Sequence, residues 1–372
     1  MKKILYVINV DWFYISHFLP VGLEGINKGY EVHIACGITD RKEYLENLGF
    51  IVHPLPISRS GTSVKTEIKT IIKMYKIIKS VNPQVLEFFT IKPVLYGGIV
   101  SRFLKIPKKV FYITGLGYVF IAKSLKGFIV RNIVKMLYKL AISGKNSSII
   151  TENIYDKELI NSLNAVNDNQ IKIIRGAGVD LSKYYYIEEK NENIKVSMAC
   201  RLLKDKGVFE YIEASKILKK KYLNVKFELY GDIDIHNPAS LTSDDVEKIK
   251  KDGFVSVYGF SSDIAKVFSD SNIVVLPSYR EGLPKVLIEA AACGRAVVTT
   301  DVPGCRDAIE PNVTGLLCEV KDTESLASVI EKLILDKDLR NSMGKEGRKL
   351  AEQEFDINKV VEKHFDIYEG RV

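Results

Sequence analysis

Ile273-Val-Val-Leu276-Pro-Ser-Tyr-Arg-Glu281-Gly-Leu-Pro284-Lys-Val-Leu-Ile-Glu289-Ala-Ala-Ala-Cys-Gly294 changes character twice within a short span. The apolar run Ile273 to Leu276 predicts a buried strand, and Pro277 ends it. A polar loop with Gly282 follows. Pro284 falls where a first helical residue belongs, and Gly294 falls where a C-terminal cap belongs. Glu281 is therefore expected on the loop and Glu289 in the second turn of a helix. Such a loop lies at the carboxyl end of a parallel strand, where open α/β sheets bind ligands. The free N–H groups at the helix start, near Leu283 to Val286, suit an anion such as a diphosphate, and Gly282, Leu283, Pro284 and Lys285 of this turn are the candidate binding residues. Two carboxylates beside such a site suit a hydroxyl-rich partner, since an ionised carboxylate accepts strong hydrogen bonds. The competing reading is a solvated loop Glu and a helix-surface Glu.

The same alternation runs outward in both directions. Strands are expected at Ile4–Asn9, Glu31–Ala35, Ile51–Leu55, Val85–Phe89, Val110–Ile113, Ser148–Thr151 and Ile171–Ile174. A second set is expected at Ile194–Ala199, Val225–Tyr230, Val255–Tyr258, Ile273–Leu276 and Ala296–Thr299. Helical patterns such as Val64 to Ser80 separate them. Strands alternating with helices indicate βαβ units and parallel sheets covered on both faces. The fold class is α/β, and 372 residues suit two doubly wound domains. The expected division is 1–180, 181–354, and a terminal helix from 355 to 372 that crosses back. The boundary is read at Arg175-Gly-Ala-Gly-Val-Asp180 and the Tyr/Glu/Asn-rich stretch after it.

Ile194–Ala199 is followed by Cys200-Arg201-Leu-Leu-Lys-Asp-Lys206-Gly207, and then by an amphipathic pattern through about Lys221. Arg201 and Lys206 can stabilise a leaving group that gains negative charge, Arg as a planar fork and Lys as a compact charge. Two surface cations on a turn is the plainer alternative.

These motifs together resemble the retaining glycosyltransferases of family 4, which have the GT-B fold: two Rossmann-like domains facing across a cleft. That family carries an E-x7-E pair, matched here by Glu281 and Glu289, and an Arg–Lys pair five apart, matched by Arg201 and Lys206. The resemblance implies that Glu281 contacts the transferred sugar, Glu289 the ribose hydroxyls, and Arg201 and Lys206 the donor diphosphate. It covers nearly the whole chain and is densest from 195 to 320. Within the family, Ser16-His17-Phe-x-Pro20 resembles the branch that adds hexose or N-acetylhexosamine to undecaprenyl-diphosphate-linked sugars. A UDP-sugar donor, N-acetylgalactosamine or a related sugar, is what that branch implies, with no metal required.

In the family the loop after the first strand carries adjacent glycines. Here that stretch, Val10-Asp-Trp-Phe-Tyr-Ile-Ser-His-Phe-Leu-Pro20, has none. His17 is the candidate for a phosphate or acceptor contact, against an N-cap role for Ser16 with His17 merely beside it. Ile113-Thr-Gly-Leu-Gly-Tyr-Val-Phe120 places Thr114 and Gly115 where many relatives have a His, so the group that activates the acceptor is open. Tyr258-Gly-Phe260 matches the loop that pairs with the nucleotide base, with Phe260 nearest. Asp232-Ile-Asp234 is a literal Asp-x-Asp, but it lacks the surrounding pattern of a metal-holding pair. Pro303-Gly-Cys-Arg-Asp307 is assigned to sheet-end packing.

Charge and composition bound the function. Residues 1–180 hold 25 Lys and Arg against 13 Asp and Glu, whereas residues 181–372 hold 29 against 33. Between Glu87 and Glu152 there is no acidic residue and there are eleven cations, from Lys92 to Lys145. Phe128 to Ala141 reads as a basic helix with apolar positions at helical spacing. Such a surface suits anionic lipid at ~1 kcal/mol per cation. No nucleic-acid module motif accompanies the charge. No apolar run approaches the ~20 residues needed to span a bilayer. The five cysteines contain no Cys-x-x-Cys pair and read as free thiols in a reducing compartment. The leading expectation is a retaining hexosyltransferase bound peripherally to the cytoplasmic membrane face. A sugar-nucleotide epimerase on the same fold and a non-catalytic membrane-bound scaffold are the alternatives. A nicotinamide dehydrogenase is disfavoured because no G-x-G-x-x-G follows the first strand.

Overall fold

Among the described residues thirteen strands form two sheets, and every pair in them is parallel. The computed structural model describes residues 1–57, 63–116, 125–189, 193–235 and 237–372. The first sheet contains β1 (Lys3–Val10), β2 (Glu31–Gly37), β3 (Ile51–Pro54), β4 (Val85–Phe89), β5 (Lys108–Ile113), β6 (Ser147–Thr151) and β7 (Ile171–Ile173). The second contains β8 (Lys195–Ala199), β9 (Lys226–Tyr230), β10 (Ser256–Gly259), β11 (Ile273–Leu276), β12 (Ala296–Thr300) and β13 (Gly315–Cys318). The spatial orders are 3-2-1-4-5-6-7 and 10-9-8-11-12-13. Each is a doubly wound order that reverses once, between β1 and β4 in one sheet and between β8 and β11 in the other.

The alternation along β1 shows why the sheets need cover on both sides. Leu5 and Val7 join one apolar cluster, with Met74, Phe88 and Phe111, while Ile4, Tyr6 and Ile8 join another, with Phe89, Tyr112 and Phe365. Strands buried on both faces read as continuous apolar runs, which is how they appear in the sequence. The second sheet is enclosed by one cluster built on Val196, Val274, Val275 and Val297.

The chain divides into Met1–Ala177 with Val360–Val372, and Gly178–Lys359. The changeovers at 177/178 and 359/360 differ by a few residues from the expected 180/181 and 354/355. The Tyr/Glu/Asn-rich stretch is fixed to the second unit: Glu189 pairs with the buried Arg340 at 2.6 Å, and Arg348 donates to the Tyr184 carbonyl at 2.8 Å. The terminal helix Ile357–Glu369 sends Val360, Phe365 and Tyr368 into a core cluster of the first unit. There the Tyr368 hydroxyl donates to the wholly buried Glu87, and His364 Nδ1 lies 3.4 Å from the other oxygen of that carboxylate.

Three local expectations change. Pro284 is the N-cap, with φ −73° and ψ 117°, and not the first helical residue; the helix is Lys285–Ala292. The stretch after β1 is not a loop but two short helices, Asp11–His17 and Leu19–Asn27. The Asp11 carboxylate is buried there and accepts from the N–H groups of Trp12, Thr39 and Arg41. Ser16 is consequently inside a helix and caps nothing. Finally, β13 went unread in the sequence because it is four residues long and opens on glycine; pairing with β12 makes it a strand.

Candidate active site

The loops after β8 and β11 flank the reversal point of the second sheet, and they carry Arg201, Lys206 and Glu281. After β8 the chain buries Leu202 and Leu203, then makes a 3-10 turn over Lys204–Lys206. Gly207 follows with φ +75° and opens the helix Val208–Lys221. A Cβ at Gly207 would stand 2.2 Å from the Pro277 carbonyl oxygen, so only glycine lets the two loops approach this closely. The Tyr279 N–H donates to the Asp205 carbonyl at 2.9 Å and ties the loops together.

This approach brings the Lys206 ammonium onto Glu281 Oε1, which also accepts from Ser278 Oγ at 2.7 Å. Both members of the ion pair are mostly buried, at 16% and 13% side-chain exposure. Burial works to lower Lys206, but the charge of Glu281 and its hydrogen bond outweigh it, and the ammonium is held above its ordinary value. Arg201 is more open and pairs with Asp234 at 2.8 Å. Thus one carboxylate of the Asp-x-Asp is occupied by an arginine. Beneath the Glu281 loop, Gly304 has φ +83°, and a Cβ there would meet the carbonyl oxygens of Glu281 and Gly282 at 2.4 Å. The Pro303–Asp307 segment therefore sets the height of that loop.

Glu289 sits inside the helix Lys285–Ala292 and is buried. Burial raises its carboxyl above the ordinary value, opposed by Lys285, whose Nζ is 3.5 Å away, and by a hydrogen bond from Tyr184. The helix places its first N–H groups beside the loop of Gly282 and Leu283, where helix geometry leaves them without intrahelical acceptors. Phe260 follows β10, two strands from β8, and is 75% exposed. Its ring is available for stacking. Next to it Tyr258 stacks on Tyr230 with centroids 4.9 Å apart.

The first-unit candidates are separate from one another. His17 ends the helix after β1; it stacks on Phe13 at 4.1 Å, and its Nδ1 is 2.6 Å from Ser16 Oγ. Thr114 and Gly115 follow β5, with β4 lying between the two strands, and Gly115 has φ +101°. Residues 117–120 of that loop lie outside the described residues. Sequence reading missed Ser278, Tyr184 and Thr90. Ser278 lies only three positions from Glu281 but carries no motif of its own, and Tyr184 acts on Glu289 from far away in sequence. Thr90 stands at the carboxyl end of β4, at the first sheet's reversal point, with φ +69°. A β-branched residue is seldom found there. Among the described residues no group of three or more His, Cys, Asp or Glu side chains is placed to hold a metal ion.

Two doubly wound units, one with a buried Lys–Glu pair and an arginine at its reversal point, place this chain among the two-domain α/β transferases. The glycosyl transferases group 1 model matches residues 187–350, and the glycosyl transferase 4-like model matches residues 3–153. The N,N'-diacetylbacillosaminyl-diphospho-undecaprenol alpha-1,3-N-acetylgalactosaminyltransferase of Campylobacter jejuni is 30% identical over 369 residues, 95% of each chain. The capsular polysaccharide biosynthesis glycosyltransferase CapM of Staphylococcus aureus is 28% identical over 92% of this chain and 90% of its own. The structure of Anabaena Alr3699/HepE with UDP superposes at a TM-score of 0.76 with 18% identity, over 100% of both chains. That of WaaG, a glycosyltransferase involved in lipopolysaccharide biosynthesis, superposes at 0.77 with 17% identity, over 99% and 100%. The chain belongs to the group 1 glycosyl transferases, and its fold is GT-B.

Proposed function

We propose that this glycosyltransferase moves a hexose or N-acetylhexosamine, with N-acetylgalactosamine the first choice, from a UDP-sugar to an undecaprenyl-diphosphate-linked sugar, with retention at the anomeric carbon. The observation that carries this reading is the Lys206–Glu281–Ser278 cluster at the reversal point, with Arg201 beside it. Support for the acceptor comes from two relatives whose names specify diphospho-undecaprenol-linked sugars, those of C. jejuni and Escherichia coli.

In this reading Lys206 and Arg201 receive the diphosphate. As the bond from the anomeric carbon to the diphosphate oxygen breaks, both cations face the growing negative charge. Each such contact is worth ~2–4 kcal/mol of barrier. The acceptor hydroxyl attacks from the face the diphosphate leaves, and its proton ends on the departing phosphate oxygen. No strong protein base is needed, which suits a Thr114 loop without histidine. Glu281 takes hydroxyls of the transferred sugar and Glu289 those of the ribose. Phe260 stacks near the base, and His17 meets the acceptor or its phosphate. No step assigns work to a metal ion.

The reading also places the first unit at the cytoplasmic membrane face. The helix Leu125–Ile142 turns Tyr138 and Ala141 into the core, yet leaves Phe128, Ile133, Met136 and Leu140 exposed. Arg131, Lys135 and Lys139 share that helix, and Phe103, 78% exposed, stands on the turn before β5. Apolar side chains flanked by cations suit an interfacial helix. Lys123 and the side chain of Lys126, part of the same basic stretch, lie outside the described residues. No described helix is long and apolar enough to cross a membrane.

Calorimetric titration with UDP, UDP-GalNAc, UDP-GlcNAc, UDP-Gal and GDP-mannose tests the donor. UDP-sugars should bind, Glu289→Ala should abolish binding, and the tightest ligand names the sugar. Transfer to a lipid-linked acceptor should fall at least tenfold in each of Glu281→Ala, Arg201→Ala and Lys206→Ala. Near-normal rates in all three would overturn the site assignment.

A further inference from the structure

The amino edge of the first sheet carries a second set of cations that the transfer reaction does not use. The turns before β5 and β6, residues 104–107 and 144–146, line an open recess of about 520 Å³ with Lys105, Lys109, Lys145 and Asn146. Lys109 is only 9% exposed. It has no carboxylate partner among the described residues. Burial lowers its ammonium below the ordinary value, and the neighbouring charge that adds to this is Arg102, another cation. An ammonium partly withdrawn from water, reaching solvent only through the recess and without a counter-charge, is costly, and an anion would offset that cost.

A second polar group is unsatisfied at the same place. Ser147 is 2% exposed, and its Oγ has no hydrogen-bond partner. The two groups converge on one notch. A side chain begun at Gly144 would meet Ser147 Oγ at 3.2 Å and Lys109 Nζ at 3.7 Å. The space at Gly144 is too tight for a side chain, and the turn is fixed by Gln170 Nε2, which donates to the carbonyls of Gly144 at 2.9 Å and Ser147 at 2.7 Å. An ammonium on the recess wall, an unsatisfied hydroxyl just behind the glycine turn and two more lysines at the rim suit a multiply charged oxyanion.

We propose that this recess is a phosphate-group site, holding a phosphomonoester through Lys109 and Ser147 with Lys105 and Lys145 at its mouth. It lies at the sheet edge opposite the one that carries Thr114, and it is separate from the diphosphate contacts of the second unit. The phosphate belongs either to an anionic lipid headgroup or to a small soluble molecule.

Calorimetric titration of inorganic phosphate into the full chain, at matched ionic strength, tests the site. Wild type should bind. Lys109→Met, which keeps the apolar stem, should weaken binding at least tenfold, Ser147→Ala should weaken it several-fold, and Lys206→Met should not change it. Lys109→Met should melt no lower than wild type, since it removes an unpaired, partly buried charge. If that variant fails to fold, Ser147→Ala carries the same test. Flotation with phosphatidylcholine vesicles containing phosphatidic acid or, at equal charge, phosphatidylglycerol separates the two sources. A preference for the monoester lipid that Lys109→Met abolishes assigns a headgroup, whereas phosphate binding without that preference assigns a soluble ligand. If wild type binds neither probe, or if Lys109→Met and Ser147→Ala bind both as wild type does, the proposal is overturned.

Discussion

Glu281 Oε1 accepts from two donors at once, the Lys206 ammonium and the Ser278 hydroxyl. Glu281→Gln keeps an oxygen for Ser278 but removes the charge that Lys206 faces. A mostly buried cation is then uncompensated, and a loss of about 3 kcal/mol is expected in chemical denaturation. An unchanged midpoint would mean that water, not Glu281, neutralises Lys206. Glu289 gives a pH signature instead. Burial raises its carboxyl above the ordinary 4.5, so it protonates at a higher pH than an exposed Glu. UDP affinity should be full above that raised value and fall as pH drops through it, while Glu289→Gln should flatten the profile. A wild-type profile as flat as the variant's would remove Glu289 from the ribose. Stability runs the other way: the raised value contributes most below the unfolded carboxyl's own pKa, and that contribution is lost as pH rises through the folded one. Glu281, Glu289, Arg201 and Lys206 could be proposed from the sequence because the E-x7-E and Arg–Lys spacings each follow a strand that is legible as an apolar run. Tyr184, more than a hundred positions from Glu289, carries no such spacing, and Thr90 is marked only by its backbone angle.

At the scale of elements, the site depends on how two loops meet. Gly207 is the hinge of that meeting, with positive φ and no room for a Cβ against the Pro277 carbonyl. Gly207→Ala should cost more than about 2 kcal/mol, from the left-handed backbone plus the clash. It should also weaken UDP binding by displacing Lys206. Thermal melting and titration together check this, and a variant that melts and binds as wild type would show that the loops can separate freely. Most strands were legible because both faces of each sheet are covered and the runs are continuously apolar. The helices after β1 were not, since their start relies on a buried Asp11 held by Thr39 and Arg41 from beyond β2, a contact no local pattern announces. The edge strand β13 is likewise made by pairing and not by composition.

The whole molecule divides its charge: the basic surplus lies in residues 1–180, and the remainder is slightly acidic. Binding to anionic vesicles should therefore weaken steeply with salt as exposed cations are screened. Replacing Arg131, Lys135 and Lys139 with Gln should remove about 1 kcal/mol each. Ile133→Ser with Met136→Ser should instead lower the part of the affinity that salt leaves untouched. Salt-independent binding, or none, would detach the first unit from the bilayer in this account. The two-unit plan and the charge division were legible in the chain. The amino-edge recess was not, because two turns distant in sequence, residues 104–107 and 144–146, make it together and neither announces the other.

The return of residues 360–372 to the first unit has a consequence for synthesis. Glu87 is buried in an apolar sheet, and its partners Tyr368 and His364 are made some 280 residues later. During translation the amino-terminal half emerges early with a carboxylate that has nowhere to go. It must stay loose while the whole second unit is made. The first half closes only once the helix Ile357–Glu369 has been made. A fragment that stops before that helix should lack a finished first-unit core and be cut by protease faster than the full chain.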